Sequence, residues 1–246
     1  HWSPLPRPYN GTRTSMAGTL RGLEGIRQGR NLKVKPFVIV GVRQALKGRE
    51  LPTNDDYDGG VDLKYGLSPS VTLDLTYRTD FAQVEADQQQ VNLTRFSLFF
   101  PEKREFFIEN SGIFGFGEPV RGRRRGGTAN IIPFFSRRIG LSSGTPVPIS
   151  GGARLSAKAG GYEVGLLSMK TESIEGRPSD TFTVGRIKKN LLESSWIGAI
   201  FTNRDATGQR NYNRVFGVDA RFRLFRRLEL GSYVLKSTTP GVSGSD

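Results

Sequence analysis

The chain of 246 residues contains no cysteine, only one histidine and no long apolar run. Without cysteine there is no disulfide framework, no thiolate zinc cluster and no thiol nucleophile. The one histidine is His1, at the very end of the chain, so a Ser-His-Asp triad or a histidine-rich metal site is close to excluded. No apolar run approaches the roughly 20 residues that a transmembrane helix needs. We therefore expect no cofactor and no helical membrane span.

Charge and glycine are what the chain has in abundance, with a formal net charge of +13 and 31 glycines. A basic protein attracts anionic partners such as nucleic acid, lipid phosphate or acidic polysaccharide, although a soluble basic surface gives the same number. The chain starts without methionine or a signal peptide, which indicates a piece of a longer polypeptide. Residues 1–30, rich in Pro, Gly and Arg, are expected to form a linker after a missing N-terminal module.

Hydrophobic residues alternate with polar ones along most of residues 31–246. The alternation over 61–67 and again over 71–77, with a short turn between, predicts a β-hairpin. Similar runs follow at 153–158, 162–170, 182–186, 196–203, 216–223 and 228–234. The pattern predicts an all-β, antiparallel domain of nine or ten strands.

Two β architectures fit this alternation. In a soluble sandwich or barrel the apolar face is inside, whereas in a membrane barrel it meets lipid. Strands of about 9–12 residues suit a tilted membrane crossing. Aromatic residues near the strand ends would suit the membrane interface; these are Tyr65, Tyr77, Tyr162, Trp196, Tyr212 and Tyr233. We therefore favour an outer-membrane-type β-barrel, incomplete if further strands follow. Arg78, Arg154, Lys158, Lys170, Arg221 and Arg223 would then face its lumen.

The alternation breaks over about 101–150, a segment rich in phenylalanine and arginine. A long irregular segment between strands is usually functional or disordered, and this much phenylalanine argues against disorder. We expect it to fold inward as a plug-like loop or to pack at one mouth of the barrel.

A block of carboxylates, amides and arginines with phenylalanines precedes and enters this segment, over 80–87, 92–96 and 99–109. Its motif residues are Asp80, Glu85, Asp87, Asn92, Arg95, Pro101, Glu102, Lys103 and Arg104. With 18–23, 29–32, 62–65 and 136–140, the block resembles a bacterial outer-membrane family that joins a family-9 carbohydrate-binding module to a C-terminal β-barrel (domain of unknown function 5916). The resemblance implies an exported protein of the outer membrane. It implies no catalytic residue.

Carboxylates in the block raise the question of a glycan hydrolase; the candidates are Glu85, Asp87, Glu102, Glu105 and Glu109. Such an enzyme needs two carboxyl groups about 5–10 Å apart across a sugar cleft. Alternatively the carboxylates pair with Arg95, Lys103 and Arg104 to fix a buried loop, because buried charges must be paired. We favour the pairing interpretation.

Two further clusters have a functional and a structural interpretation. Asp55, Asp56 and Asp58 resemble part of a calcium loop, but a glutamate at the twelfth position is missing, so a hairpin turn over 54–59 is favoured. The cations Arg121, Arg123, Arg124, Arg125, Arg137 and Arg138 could hold phosphate or another anion. The 121–125 run lacks the interleaved aromatics of single-strand binders. We do not expect nucleic acid as a partner.

The sequence thus predicts an outer-membrane β-barrel protein with a structural, transport or surface glycan-binding role. Its expected partners are outer-membrane lipid or lipopolysaccharide, polysaccharide and other protein subunits. The alternatives are a membrane-associated glycan hydrolase that uses the carboxylates of 80–109, and an all-β subunit of a larger assembly.

Overall fold

A computed structural model describes residues 22, 31–41, 56–78, 102–117, 131–142, 145–174, 176–192, 195–208, 211–224 and 228–241. The strands are β1 (Leu32–Gly41), β2 (Asp56–Ser68), β3 (Val71–Tyr77), β4 (Leu141–Ser142), β5 (Thr145–Pro146), β6 (Ile149–Ala159), β7 (Tyr162–Thr171), β8 (Asp180–Leu192), β9 (Ser195–Ala206), β10 (Tyr212–Leu224) and β11 (Leu228–Thr238). The described helical structure is one turn of α-helix, α1 (Glu105–Ile108), and two 3₁₀ turns, Ser111–Phe114 and Ser136–Arg138.

Nine of these strands form a single antiparallel sheet in the order β1-β2-β3-β6-β7-β8-β9-β10-β11. Each strand pairs with its neighbour in the chain, except that β3 pairs with β6 across the irregular segment. The expectation of an all-β antiparallel fold is confirmed. A closed barrel is not seen in the described residues, because β1 and β11 lie at opposite edges of the sheet. The part of the chain that the structure describes holds no helix long and apolar enough to cross a membrane.

The two faces of the sheet differ in an unusual way. On one face, here called the outer face, large apolar side chains lie open, with Phe216 57% and Val234 73% exposed. The opposite or inner face buries polar and charged side chains, among them Arg154, Arg186 and Asp219. Alternation along each strand produces both faces, since successive side chains point to opposite sides of the sheet. The apolar outer face is therefore the uncovered one.

The irregular segment between β3 and β6 lies against the inner face. Its described part runs over 102–117, 131–142 and 145–148 and is here called the inserted segment. Phe106, Phe107, Phe114 and Ile139 of this segment form a core with five residues of the sheet; these are Ile149, Leu167, Met169, Val184 and Ile200. The main hydrophobic core thus lies between the inserted segment and the sheet.

Glycines on the inner face make room for the inserted segment. A Cβ on Gly165 would lie 2.7 Å from Ile113 Cγ2 and 2.9 Å from Phe114 Cε1. A Cβ on Gly217 would lie 2.9 Å from Phe116 Cζ. Real Cβ atoms do not approach other heavy atoms so closely, so both sites need glycine for packing rather than for backbone freedom.

Several details differ from the sequence-based expectations. The turn predicted over 54–59 is wrong from Asp56 onward, because β2 begins at that residue. Trp196 and Tyr233 are not on the outer face: Trp196 is buried beside the Arg186 guanidinium, and Tyr233 packs on Phe116. Lys170 lies on the outer face, since its neighbours Met169 and Thr171 are buried on the inner one.

We predict that Gly165→Ala loosens the inserted segment, because the added methyl group displaces Ile113 or Phe114. Overpacking of this kind costs about 1–3 kcal/mol. Limited proteolysis and hydrogen exchange across 102–117 should both accelerate.

Gly185→Ala is the matched control, since its Cβ would meet Leu166 Cδ2 at an ordinary 3.6 Å on the outer face. This variant should leave exchange across 102–117 unchanged. Equal acceleration in both variants would contradict the packing role of Gly165.

Candidate functional site: the ion-paired inner face

Charged side chains on the inner face are the strongest candidates for functional residues, because burial makes charge costly unless it is paired. Two arginines of the sheet and one of the inserted segment are each 2% exposed; they are Arg154, Arg186 and Arg104. Each has a carboxylate partner, and each also contacts the inserted segment.

The first pair joins β8 to β10 across β9. The Arg186 Nη1 atom lies 2.6 Å from Asp219 Oδ1, and Nη2 lies 2.9 Å from Oδ2, a two-point pair. Gly198 on the intervening strand leaves space for the guanidinium, which a Cβ would meet at 2.6 Å. Asp219 Oδ2 also accepts a hydrogen bond of 2.9 Å from the backbone N–H of Gly117. The pair therefore also anchors one end of the inserted segment.

The second pair joins β6 to β3. Arg154 Nη2 lies 2.8 Å and Nε 3.1 Å from Asp74 Oδ2. Arg154 Nη1 donates to the backbone carbonyl of Phe106, and the guanidinium lies 5.1 Å from the centroid of the Phe106 ring. Register makes this contact possible, because Asp74 and Arg154 are directly opposite each other.

The third pair lies within the inserted segment. Arg104 donates from Nε to Glu102 Oε1 at 2.9 Å and from Nη2 to Glu102 Oε2 at 2.8 Å. Its Nη1 and Nη2 atoms also donate to the carbonyls of Ile139 and Ser136, at 2.8 and 2.9 Å. Arg104 thus ties residues 102–117 to residues 131–140. This is the structural pairing that the sequence analysis favoured for Glu102.

A cleft of about 360 Å³ opens between the inner face of β1–β3 and α1. Two ion pairs cross it: Lys35 with Glu105 and Lys64 with Glu109. Lys33, Lys103 and Asp62 also line it. The cleft therefore combines charges of both signs with apolar side chains such as Leu63, Phe106 and Ile108.

Three of the five candidate catalytic carboxylates are described, and each has a cationic partner: Arg104 for Glu102, Lys35 for Glu105 and Lys64 for Glu109. Burial acts to raise the pKa of Glu102, but the hydrogen bonds and charge of Arg104 outweigh it and hold the pKa below its usual range. The hydrogen bond and charge of Lys35 lower the pKa of Glu105 as well. A glycosidase acid needs the opposite shift.

The remaining predicted residues are only partly placed. Among the anion-site candidates, Arg137 is buried and Arg138 exposed, while Arg121, Arg123, Arg124 and Arg125 lie outside the described residues. Glu85 and Asp87 also lie outside them, as do Asp80, Asn92, Arg95 and Pro101. Lys103 is exposed at the rim of the cleft.

The proposed calcium residues gain no support. Asp55 is outside the described residues, and only the backbone of Asp56 and Asp58 is described, within β2. Within the described ranges, no group of three or more His, Asp or Glu side chains is placed to hold a metal ion.

Sequence reasoning did not single out Asp74, Arg186 or Asp219. Each is a charged residue inside an otherwise regular strand, at a position whose sequence neighbours alternate correctly. That position is a usable signal, because a charge on the buried face of a sheet needs a partner on a nearby strand. The partner itself follows only from the register.

These features define an all-β protein built on one antiparallel sheet, with a polar inner face covered by an inserted segment. Residues 30–148, which span β1 to β5 and the inserted segment, match the model of the family described as Domain of unknown function (DUF5916). The resemblance to this domain is confirmed over that range, and the match shows no carbohydrate-binding association. No curated protein and no solved structure matches the chain.

Asp219→Asn should destabilise the fold, because it leaves the Arg186 charge buried without its counter-charge. Breaking such a pair costs about 3–5 kcal/mol. Urea unfolding of the full chain gives the free energy of unfolding, and hydrogen exchange at residues 115–117 reports on the Gly117 anchor.

The control is Asp205→Asn, an exposed position near the end of β9, where we expect a change within about 0.5 kcal/mol. If the two variants unfolded alike, the anchoring role of Asp219 would be wrong.

Proposed function

We propose that this protein is an outer-membrane β-barrel protein, whose outer face meets lipid and whose interior holds the inserted segment. The observation that carries the proposal is the inverted polarity of the sheet. Phe201 and Phe216 are paired neighbours on the outer face and lie 40% and 57% exposed, whereas Arg186 and Asp219 are fully buried inside. Lipid-facing apolar residues and an inward polar face are the arrangement of membrane barrels. A water-soluble sandwich has the reverse.

Strand length supports the same proposal. The six strands β6 to β11 are 10–13 residues long. About 9–11 residues suffice to cross a bilayer when strands tilt. Closure of the barrel requires partners for β1 and β11, since a membrane leaves no unpaired edge without a cost of several kcal/mol per backbone group.

The connections at the two ends of the sheet differ in length and give the barrel an orientation. At one end, two or three residues join β2 to β3, β6 to β7, β8 to β9 and β10 to β11; we call this the short-turn edge. At the other end, the long-loop edge, the connections run from five residues between β9 and β10 to the whole stretch between β3 and β6. Outer-membrane barrels place short turns in the periplasm and long loops outside. We propose the same orientation here.

The inserted segment then occupies the lumen as a plug. A barrel filled in this way does not need to form a wide aqueous pore. The cleft beside α1 offers a polar ligand, such as a polysaccharide, a place between the plug and the barrel wall. This supports a transport or surface glycan-binding role. The hydrolase alternative receives no comparable support, because the described carboxylates are paired with cations.

Membrane fractionation of the full-length protein tests the proposal. We expect the protein in the outer-membrane fraction, extractable only with detergent, because its outer face cannot be solvated by water. Gel mobility should change on boiling, since a closed barrel resists detergent until it is heated.

A soluble protein with the same mobility before and after boiling would contradict the membrane proposal. Stoichiometric partners that co-purify without detergent would instead support an all-β subunit of a larger assembly.

Cysteine labelling tests the orientation separately, and the absence of native cysteine from this chain removes background within it. Thr207→Cys lies at the long-loop edge and Ser70→Cys at the short-turn edge. We expect a membrane-impermeant maleimide to label the first in intact cells, and the second only after the outer membrane is permeabilised. The reverse labelling pattern would contradict the proposed orientation but not the proposed barrel. Labelling of both variants in broken cells controls for accessibility.

A further inference from the structure

Cations are unevenly distributed over the outer face. Along its central band this face carries apolar side chains, including Leu166, Ile187, Val218 and Val234. Toward the long-loop edge three cations replace them, Lys170 on β7, Arg214 on β10 and Lys236 on β11, all exposed.

These three cations, here called the basic belt, lie at one level of the sheet. Measured from the short-turn edge, Lys170 is eight residues beyond Tyr162, where β7 begins, and Lys236 is eight beyond Leu228, where β11 begins. Arg214 is ten residues before Leu224, where β10 ends. At about 3.3 Å per residue and a tilt of about 40°, the belt lies roughly 20–25 Å from that edge. This is close to the height of the apolar band of an outer-membrane barrel, about 25 Å.

The cations of the basic belt have few interaction partners among the described residues. Arg214 Nε donates to Asn203 Oδ1 at 3.2 Å, and its guanidinium lies 4.4 Å from the centroid of the Tyr212 ring. These contacts to neutral groups orient Arg214, and the exposed carboxylate of Asp205 lies on the outer face of the neighbouring strand, opposite Tyr212. Among the described ion pairs, none involves a cation of the belt.

The opposite edge gives a contrast. Lys189 also lies on the outer face, near the turn between β6 and β7. Its ammonium donates to the Gly160 carbonyl at 2.9 Å and lies 3.6 Å from the centroid of the Tyr162 ring. Lys189 is therefore oriented by a neutral oxygen and a tyrosine ring, much as Arg214 is, and it differs from the basic belt in lying at the short-turn edge.

We propose that Lys170, Arg214 and Lys236 bind the phosphate groups of lipopolysaccharide in the outer leaflet. The inference rests on the proposed function, because only a membrane barrel brings lipid against this face. Charge complementarity identifies lipopolysaccharide as the ligand. The outer face has cations directly above an apolar band, and this lipid has phosphate groups directly above its acyl chains. A solvated charged surface would not require the cations to share a level, nor to adjoin the apolar band.

Binding to purified lipid A tests the proposal. The full-length protein in detergent is titrated with bisphosphorylated lipid A and with the same lipid after dephosphorylation. We expect the wild type to prefer the phosphorylated form, and the preference to weaken in high salt, because salt screens exposed charges. In the triple variant Lys170→Gln, Arg214→Gln, Lys236→Gln the affinity should fall by about 100-fold, taking about fivefold for each cation near a charged membrane surface.

The control triple variant neutralises Lys158, Lys189 and Arg223, three cations nearer the short-turn edge, with the same change in net charge. It should bind phosphorylated lipid A as the wild type does. Two results would contradict phosphate binding by the basic belt. One is an equal loss of lipid A affinity in both triple variants, and the other is an unchanged affinity of the wild type for dephosphorylated lipid A. Equal affinity for phosphatidylglycerol would overturn lipopolysaccharide as the source of the phosphate.

Membrane fractionation of the belt variant separates the two hypotheses. A variant that still reaches the outer membrane and still shifts on heating, yet binds lipid A normally, refutes the belt alone. A wild-type protein that is soluble refutes the barrel.

Discussion

Buried ion pairing on the inner face is the constraint on which the rest of the structure depends. Arg186 and Asp219 face each other across β9, and the arrangement requires Gly198 between them. Because each charge is nearly inaccessible, the two strands must keep one register, since a slip of either strand by one residue would turn its member of the pair to the apolar face and leave the other buried alone. The inserted segment depends on this register too, because its Gly117 amide donates to the same carboxylate. Fold and plug are therefore fixed by one interaction.

Covering charge with aromatic rings is the second organising feature. The guanidinium groups of Arg104, Arg154 and Arg186 lie near the rings of Phe107, Phe106 and Phe116, respectively. A phenylalanine ring can screen a cation from water while remaining attracted to it through the negative face of the ring. This explains why phenylalanine and charged residues are mixed in the inserted segment, a composition that fits neither an ordinary core nor a solvated loop.

The sequence predicts the elements of this structure better than their orientation. The hairpin over 61–77 and the irregular segment ending near β6 follow from alternation and its loss, which are local signals. The orientation of β7 does not, because Leu166 and Leu167 are adjacent: one lies on the outer face, and the other joins the core under the inserted segment. Alternation along β7 therefore predicts the wrong face for Lys170. Trp196 was misplaced because an aromatic residue suits either lipid or a buried guanidinium, and only the register distinguishes them.

The candidate site was predictable in part. Pairing of Glu102 with Arg104 is visible in the sequence, since the two are close in the chain. Asp74 and Arg154 are 80 residues apart in the chain, and they pair because β3 lies next to β6 in the sheet. No local sequence pattern predicts that the two strands are neighbours.

The position of the inserted segment in the chain has a consequence for synthesis and folding. The segment precedes β6 to β11, yet the inner face that buries its phenylalanines is built largely from β7, β8 and β9. Phe106, Phe107 and Phe114 therefore leave the ribosome before their binding surface exists and stay exposed until the later hairpins form. Exposed aromatic clusters in unfinished chains promote aggregation. The interval between the emergence of residue 117 and the pairing of β9 is thus the stage at which this chain most needs a holding chaperone.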